Sequence, residues 1–322
     1  MAEASEGADT TVSDIGEFGV IARATRGRTQ PDTTVLGPGD DAAVVRAPDG
    51  QVVATTDMLV QDRHFRLDWS SPHDVGRKAI AQNGADIAAM GARPTGYLVS
   101  LACPGATPLT VTDGLTDGMW AEAESTGAGI VGGDLVQAPL VVISVTALGD
   151  LEGRPPVLLS GATATDVVAV CGRLGWSAAG LALLLAGDGS RPALVDAHRY
   201  PRPPYAAGPV AARAGTTAMT DNSDGLLADL AHIADASGVA IDLRTRDFPV
   251  DDELNSAAAH LGVDVREWVL TGGEDHALVA TFPAGTDLPD GWVAIGVVSG
   301  GSGVTVDGAA WQGSAGWQSF GN

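Results

Sequence analysis

Acidic residues set beside glycine turns at the ends of short apolar runs recur along this chain. They constrain its fold more than any other feature. The first case is Gly37-Pro38-Gly39-Asp40-Asp41, which leads into the apolar run Ala42 to Val45. A second run, Val52 to Ala54, ends in Thr55-Thr56-Asp57. With Asp49-Gly50 between them the two runs read as a hairpin, which would set Asp40, Asp41 and Asp57 at neighbouring strand ends. Carboxylates brought together repel unless a cation joins them. The device returns as Asn83 with Asp86, as Gly132-Gly133-Asp134, as Asp221-Asn222-Ser223-Asp224-Gly225 and as Gly272-Gly273-Glu274-Asp275.

Strand-like and helix-like patterns alternate around these acids. Gly16 to Arg26 has a helical pattern. Ser71-Pro72-His73-Asp74 is a helix start with a capping serine, a proline in the first turn and an acid three residues on. That helix runs to about Met90 and puts Asn83 and Asp86 on one face. Tyr97 to Cys103 reads as a strand and Thr112 to Thr126 as a helix. Gly129 to Val131 then reads as a strand ending in the Gly-Gly-acid turn, with Leu140 to Leu148 the next strand. Gly153, Pro155 and Pro156 give the segment Asp150 to Gly161 the chemistry of a linker. Beyond it, Val167 to Cys171 is a strand, and the glycine loop Gly172 to Gly175 opens the helix Trp176 to Ala186. Such a loop is either an anion cradle or a tight connection. Leu226 to Ala236 is a helix preceded by Asp221, Ser223 and Asp224, one acid and a hydroxyl more than a cap needs. Val239 to Leu243 and Ala277 to Phe282 are strands. The organisation expected is a tail over residues 1–15, a domain over 16–152 and an α/β domain over 153–322.

Composition removes several classes. The net charge is −22, from 40 acidic and 18 basic residues, which argues against nucleic acid and anionic membranes as partners. No apolar run approaches the ~18 residues a spanning helix needs. The first dozen residues lack the basic start and apolar centre of a signal peptide, so a cytoplasmic protein is expected. Cys103 and Cys171 form no CxxC pair and read as buried free thiols. Lys78, the sole lysine, follows no glycine loop, so there is no Walker A motif, and the protein-kinase signatures are absent too. His64 stands at the end of the second hairpin strand, where a lone histidine is more often structural.

The candidate site gathers Asp41, Asp57, Asp86, Asp134, Asp221 and Asp224. All are oxygen donors with no Cys/His cluster, which suits Mg²⁺. Several ions bridging a polyphosphate would let a nucleotide and a second anion approach each other.

These motifs occur in an order that resembles a known family. Gly37-Pro-Gly-Asp-Asp41, Thr55-Thr-Asp-Met-Leu-Val60 with His64-Phe65, and Asn83-x-x-Asp86-Ile-Ala-Ala-Met-Gly-Ala92 come first. Gly132-Gly-Asp134, Asp221-x-Ser-Asp-Gly-Leu226 and Gly272-Gly-Glu-Asp275 follow. Together, over about Gly16 to Trp317, they resemble thiamine-monophosphate kinase, within the superfamily of aminoimidazole ribonucleotide synthetase. The resemblance implies an α/β (α+β) fold of two domains, each a mixed sheet with helices, and a homodimer formed through the N-terminal domains. It implies transfer of the ATP γ-phosphate to thiamine monophosphate, giving thiamine diphosphate. Asp41, Thr55, Thr56, Asp57, Asp86, Asp134, Asp221 and Asp224 would hold Mg²⁺. Gly133, Asp134 and Ser223 would touch ATP, and His64, Glu274 and Trp317 the thiamine phosphate. No protein base or nucleophile is required. Two positions depart from the pattern. Leu159 stands where the family has an arginine, with Arg154 as a possible substitute, and Asn222 replaces an apolar residue. The alternatives are an aminoimidazole ribonucleotide synthetase-like enzyme and a degenerate nucleotide-binding relative without turnover.

Overall fold

The structure, a computed structural model, describes residues 10–39 and 42–317. Two compact units emerge. The first takes the residues up to Gly84 and Pro94–Asp150, and the second takes Ala85–Arg93 and Leu151 onwards. The proline- and glycine-rich linker coincides with the last crossing between units. The other two crossings, either side of residues 85–93, are marked by no change in composition. Among the described residues, no helix is long and apolar enough to cross a membrane.

In the first unit, α1 (Val12–Thr25) is broken at Gly16, whose φ is 70°. β1 (Thr34–Leu36) and β2 (Val44–Val45) form a small antiparallel sheet of their own. β3 (Val53–Val60) joins β6 (Val142–Asp150) instead, antiparallel from Val53↔Gly149 to Val60↔Val142. The expected hairpin of β2 with β3 is therefore corrected. Both runs are strands, but each finds a partner elsewhere in the chain. Asp49 does shape the intervening turn, accepting the Gln51 N–H at 2.9 Å.

A four-stranded sheet is built in the order β3-β6-β4-β5, with β4 (Arg93–Cys103) and β5 (Ile130–Gln137) parallel. Gly132-Gly133-Asp134 lies inside β5 and is not the turn expected from its glycines. The reason is contact. A Cβ at Gly133 would stand 2.0 Å from the Val99 carbonyl oxygen of β4, so glycine here permits strand pairing.

α2 (Pro72–Ala89) begins with the expected capping box. The Asp74 N–H donates to Ser71 Oγ at 3.2 Å, and Asp74 Oδ2 accepts the Ser71 N–H at 3.2 Å. It lies against α3 (Leu109–Thr126) at two glycines. Added Cβ atoms would meet the Leu115 oxygen at 2.0 Å from Gly76 and the His73 oxygen at 1.9 Å from Gly118. The sole lysine, Lys78, is buried and donates to the His64 carbonyl oxygen at 3.3 Å.

The second unit is a six-stranded sheet in the order β12-β9-β11-β7-β10-β8. Its strands are β7 (Val167–Cys171), β8 (Ala218–Asp221), β9 (Val239–Leu243), β10 (Leu278–Phe282), β11 (Trp292–Gly300) and β12 (Gly303–Val306). All pairs are antiparallel except β12 with β9. β7 is apolar throughout, and β10 except at the buried Thr281, because both faces are covered. Val168, Val170 and Val279 pack with α4 (Trp176–Leu185), α5 (Pro192–Arg199), α7 (Leu226–Ser237), α8 (Asp252–Leu261) and α9 (Val265–Thr271). Ala169, Cys171, Leu278, Ala280 and Phe282 face the other way. There they pack on Ala88 and Ala89 at the end of α2 and on Ala211 of α6 (Ala207–Arg213). Cys103 and Cys171 are free and buried.

Gly118→Ala should lower the free energy of unfolding by about 1–3 kcal/mol despite alanine's better helix propensity, because the new methyl collides with a backbone oxygen. The urea midpoint measures it.

Candidate active site

The first unit distributes its expected ligands over two faces of one sheet. Side chains alternate along a strand. Thr55, Asp57 and Leu59 share the face of the buried Val145 and Ile143. Thr56 points the other way and receives the Thr146 hydroxyl at 3.2 Å. Asp134 is on that second, open face beside Ser100, with its Oδ1 accepting the Leu135 N–H at 2.9 Å. Thr55 and Asp57 thus share the covered face, whereas Thr56 and Asp134 are exposed on the other, at the two opposite edge strands of the sheet. Asp41 lies outside the described residues.

β3 is an edge strand, and its outer side is held by side chains. The Asp57 N–H donates to Asn83 Oδ1 at 3.0 Å, while Asn83, fully buried, donates back to the Ala79 oxygen of its own helix at 2.9 Å. The Val60 N–H donates to His64 Nδ1 at 3.0 Å. An Nδ1 that accepts carries no proton, so the neutral ring is the Nε2–H tautomer and offers a donor at its far side.

In the second unit, residues from three distant stretches meet. Leu278↔Asp221 is the last register pair of β10 with β8, and the hydrogen bonding runs on past it. The Asn222 N–H donates to Ala277 O at 2.8 Å, His276 N–H to Asn222 O at 2.9 Å, and Glu274 N–H to Ser223 O at 2.8 Å. The Trp317 N–H donates to Asp224 O at 2.8 Å, which brings in the end of the chain. Asp221, Ser223, Asp224, Glu274 and Trp317 therefore belong to one loop assembly. Such approach needs small residues. A Cβ at Gly273 would stand 2.3 Å from Ser223 O, and one at Gly316 2.4 Å from Asp224 O.

Neither Asp221 nor Asp224 serves as the cap of α7. That work falls to Asp229, which local sequence signals did not single out although it is an acid in the helix's first turn. Its Oδ2 accepts the N–H groups of Ser223, Asp224 and Gly225 at 3.1, 3.2 and 3.1 Å. The glycine loop before α4 is likewise filled from within. Asp275 accepts the Gly175 N–H at 2.5 Å and the Ser177 N–H at 2.7 Å, so this helix start binds an internal carboxylate and no outside anion. Another unforeseen residue is His276, whose Nδ1 lies 2.8 Å from Asp221 Oδ2. The Ser177 hydroxyl and Glu274 both approach His198, at 3.1 and 3.4 Å, but at the same nitrogen, Nδ1. A Ser-His-acid relay uses opposite ring nitrogens, so this is not one.

The electrostatics of the loops are those of negative charge held in place. Burial, with the charge of Asp221 added, pushes Asp224 above the usual carboxylate range. Burial followed by the charge of Asp221 pushes Asp229 up to about 7. Burial works to lower the His276 pKa, but the hydrogen bond and charge of Asp221 prevail and hold it raised. A divalent cation at Asp221 and Asp224 would relieve this crowding, and the all-oxygen donors suit Mg²⁺. Among the described residues, no three His, Cys, Asp or Glu side chains group to hold a metal on their own. Mg²⁺ characteristically takes one or two carboxylates and completes its shell with water and phosphate oxygens, which the pair can accommodate.

Comparison with known proteins now bears on this geometry. The model of the family described as AIR synthase related protein, N-terminal domain, matches residues 39–151. A Mycobacterium tuberculosis (strain ATCC 25618 / H37Rv) protein named thiamine-monophosphate kinase is 58% identical over 313 residues, covering 97% of this chain and 93% of the relative. The chain belongs to the thiamine-monophosphate kinase family. As such it is an enzyme, a kinase. A family member from Corynebacterium glutamicum is 46% identical, with 96% of this chain and 95% of the relative covered. A solved structure described as AaThiL complexed with AMPPCP and TMP superposes with a TM-score of 0.80 at 31% identity, covering 97% of this chain and 99% of that one. Membership of the thiamine-monophosphate kinase family decides against a separate aminoimidazole ribonucleotide synthetase-like enzyme.

One pH dependence follows from Asp275. Burial outweighs its N–H bonds and raises it to about 7 from 3.8. A carboxyl raised on folding stabilises fully below its unfolded value, and that stability is lost as pH rises through the folded value. The unfolding free energy of the wild type, relative to Asp275→Asn, should therefore fall between pH 5 and pH 8 in urea titrations.

Proposed function

We propose that the protein transfers the γ-phosphate of ATP directly, in line, to the phosphate of thiamine monophosphate, yielding thiamine diphosphate and ADP, with several Mg²⁺ ions. The observation that carries this reading is the end-to-end similarity to proteins named thiamine-monophosphate kinase. The AMPPCP and TMP of the AaThiL complex support the choice of substrates. A phosphate oxygen of thiamine monophosphate forms the new bond to the γ-phosphorus. The bond from that phosphorus to the β-bridging oxygen breaks, and its electron pair leaves with ADP. The attacking oxygen is already ionised at neutral pH, so no protein base is needed.

Bound Mg²⁺ would neutralise the phosphate oxygens so that two anions can approach. Asp41, Thr55, Thr56, Asp57, Asp86, Asp134, Asp221 and Asp224 would hold these ions. Gly133, Asp134 and Ser223 contact ATP. His64 offers its Nε2–H, Glu274 its carboxylate and Trp317 a half-exposed ring suited to a cationic thiazolium. The enzyme works in the cytoplasm as a homodimer. The open face of the first unit's sheet supports the dimer, since it exposes Met58, Leu98 and Val136 next to Thr56 and Asp134.

Phosphorus NMR with ATP and thiamine monophosphate tests the reaction. Thiamine diphosphate and ADP should appear only with Mg²⁺, whereas bound ATP without product would mean a binding protein. Asp57→Asn and Asp224→Asn should each lower kcat by at least ~100-fold with the circular dichroism spectrum unchanged, judged against the ~10–100-fold typical of disturbed metal sites. Met58→Glu with Val136→Glu should convert the dimer to a monomer by light scattering.

A further inference from the structure

Asp221 is a buried carboxylate, 6% exposed, and His276 is the residue whose side chain bonds to it. Among the described residues no arginine or lysine is paired with Asp221, and this imidazole is the cation-forming group hydrogen-bonded to it. His276 reaches it at some conformational cost. Its φ is 51°, in the left-handed region that few residues other than glycine, asparagine, aspartate and histidine enter. Its backbone is fixed by the N–H bond to Asn222 O at 2.9 Å, and its side chain is 7% exposed. Backbone and side chain of one residue are thus both directed at the Asp221–Asn222 corner. A histidine that served only to fill space would need neither.

We propose that His276 is a positioning residue. Its Nδ1–H donates to Asp221 Oδ2 and fixes the carboxylate so that Oδ1 is presented to a divalent cation. The inference rests on the reading of Asp221 as a Mg²⁺ ligand given above. An outer partner of this kind commonly changes metal affinity by ~10–100-fold when removed.

The variants follow from which nitrogen acts. Asparagine places its Nδ2 near the position of Nδ1 and tolerates positive φ, whereas glutamine places its amide nitrogen near Nε2. His276→Asn should therefore preserve the function and His276→Gln should lose it, although both are neutral amides. Mn²⁺ is the probe, titrated against full-length protein with AMPPCP and followed by the electron paramagnetic resonance of free Mn²⁺. His276→Ala and His276→Gln should weaken Mn²⁺ at least ~10-fold, and His276→Asn should stay within about threefold of wild type. The KM for thiamine monophosphate should be unchanged in all three. Should His276→Ala fail to fold, the contrast of Asn with Gln decides alone. Equal affinities for Asn and Gln, or unchanged affinity in a folded His276→Ala, would overturn the proposal while leaving the kinase reading intact. Mn²⁺ affinity that depends on His276 in a wild-type protein forming no thiamine diphosphate would do the reverse. A wild type that binds no Mn²⁺ would overturn the proposal through Asp221 itself.

Discussion

Carboxylates cannot be gathered unless something rigid holds them against their own repulsion. In the second unit that something is backbone hydrogen bonding. The β8–β10 ladder continues through Asn222, Ser223, Glu274 and His276, so the acid-bearing loops are extensions of the sheet. Asp229 completes the frame with three N–H groups on a single oxygen. Because Asp229 satisfies those donors, Asp221 and Asp224 are released from capping and can face a ligand. The raised pKa values of Asp224 and Asp229 are the electrostatic trace of this arrangement.

Much of this was legible in the residues. The Asp221 to Gly225 loop opens α7, and Gly272 to Asp275 precedes β10, as local pattern indicated. The ordered set of Gly-acid motifs carries the family resemblance by itself. Helix starts were readable too, because a capping box such as Ser71 with Asp74 is written within four residues.

Pairing was less legible, because it depends on contacts far along the chain. β2 and β3 have a sound turn between them, yet β3 pairs across nearly ninety residues with β6, where its Leu59 face meets the buried Ile143. Gly132-Gly133 has turn composition, but the glycines serve the close approach of β4. His276 is illegible for the same reason, since it acts on Asp221, 55 residues away. Asp229 acts only four to six residues back, but on loop N–H groups before its own helix, where the nearer acids Asp221 and Asp224 look like the caps. Asp275, by contrast, lay inside a recognised motif, and only the fold revealed that it fills the start of α4.

Leu159 stands where the family resemblance leads one to expect an arginine. Its backbone remains latched, with the Ser237 hydroxyl donating to Leu159 O at 2.8 Å and accepting the Ala162 N–H at 3.1 Å. Arg154 is not idle nearby. Its guanidinium donates to Glu152 at 2.9 Å and to the Gly91 oxygen at 3.2 Å. Arg93 and Arg213 also approach Glu152, at 3.6 and 3.9 Å. Three arginines around one glutamate leave positive charge in a chain whose net charge is −22. An arginine at position 159, expected from the family resemblance, would offer phosphate a directed, two-pronged contact that leucine cannot, whereas the arginines around Glu152 supply a positive field of their own. Attraction of an anion to this segment can then persist while the geometry of its capture shifts to other residues.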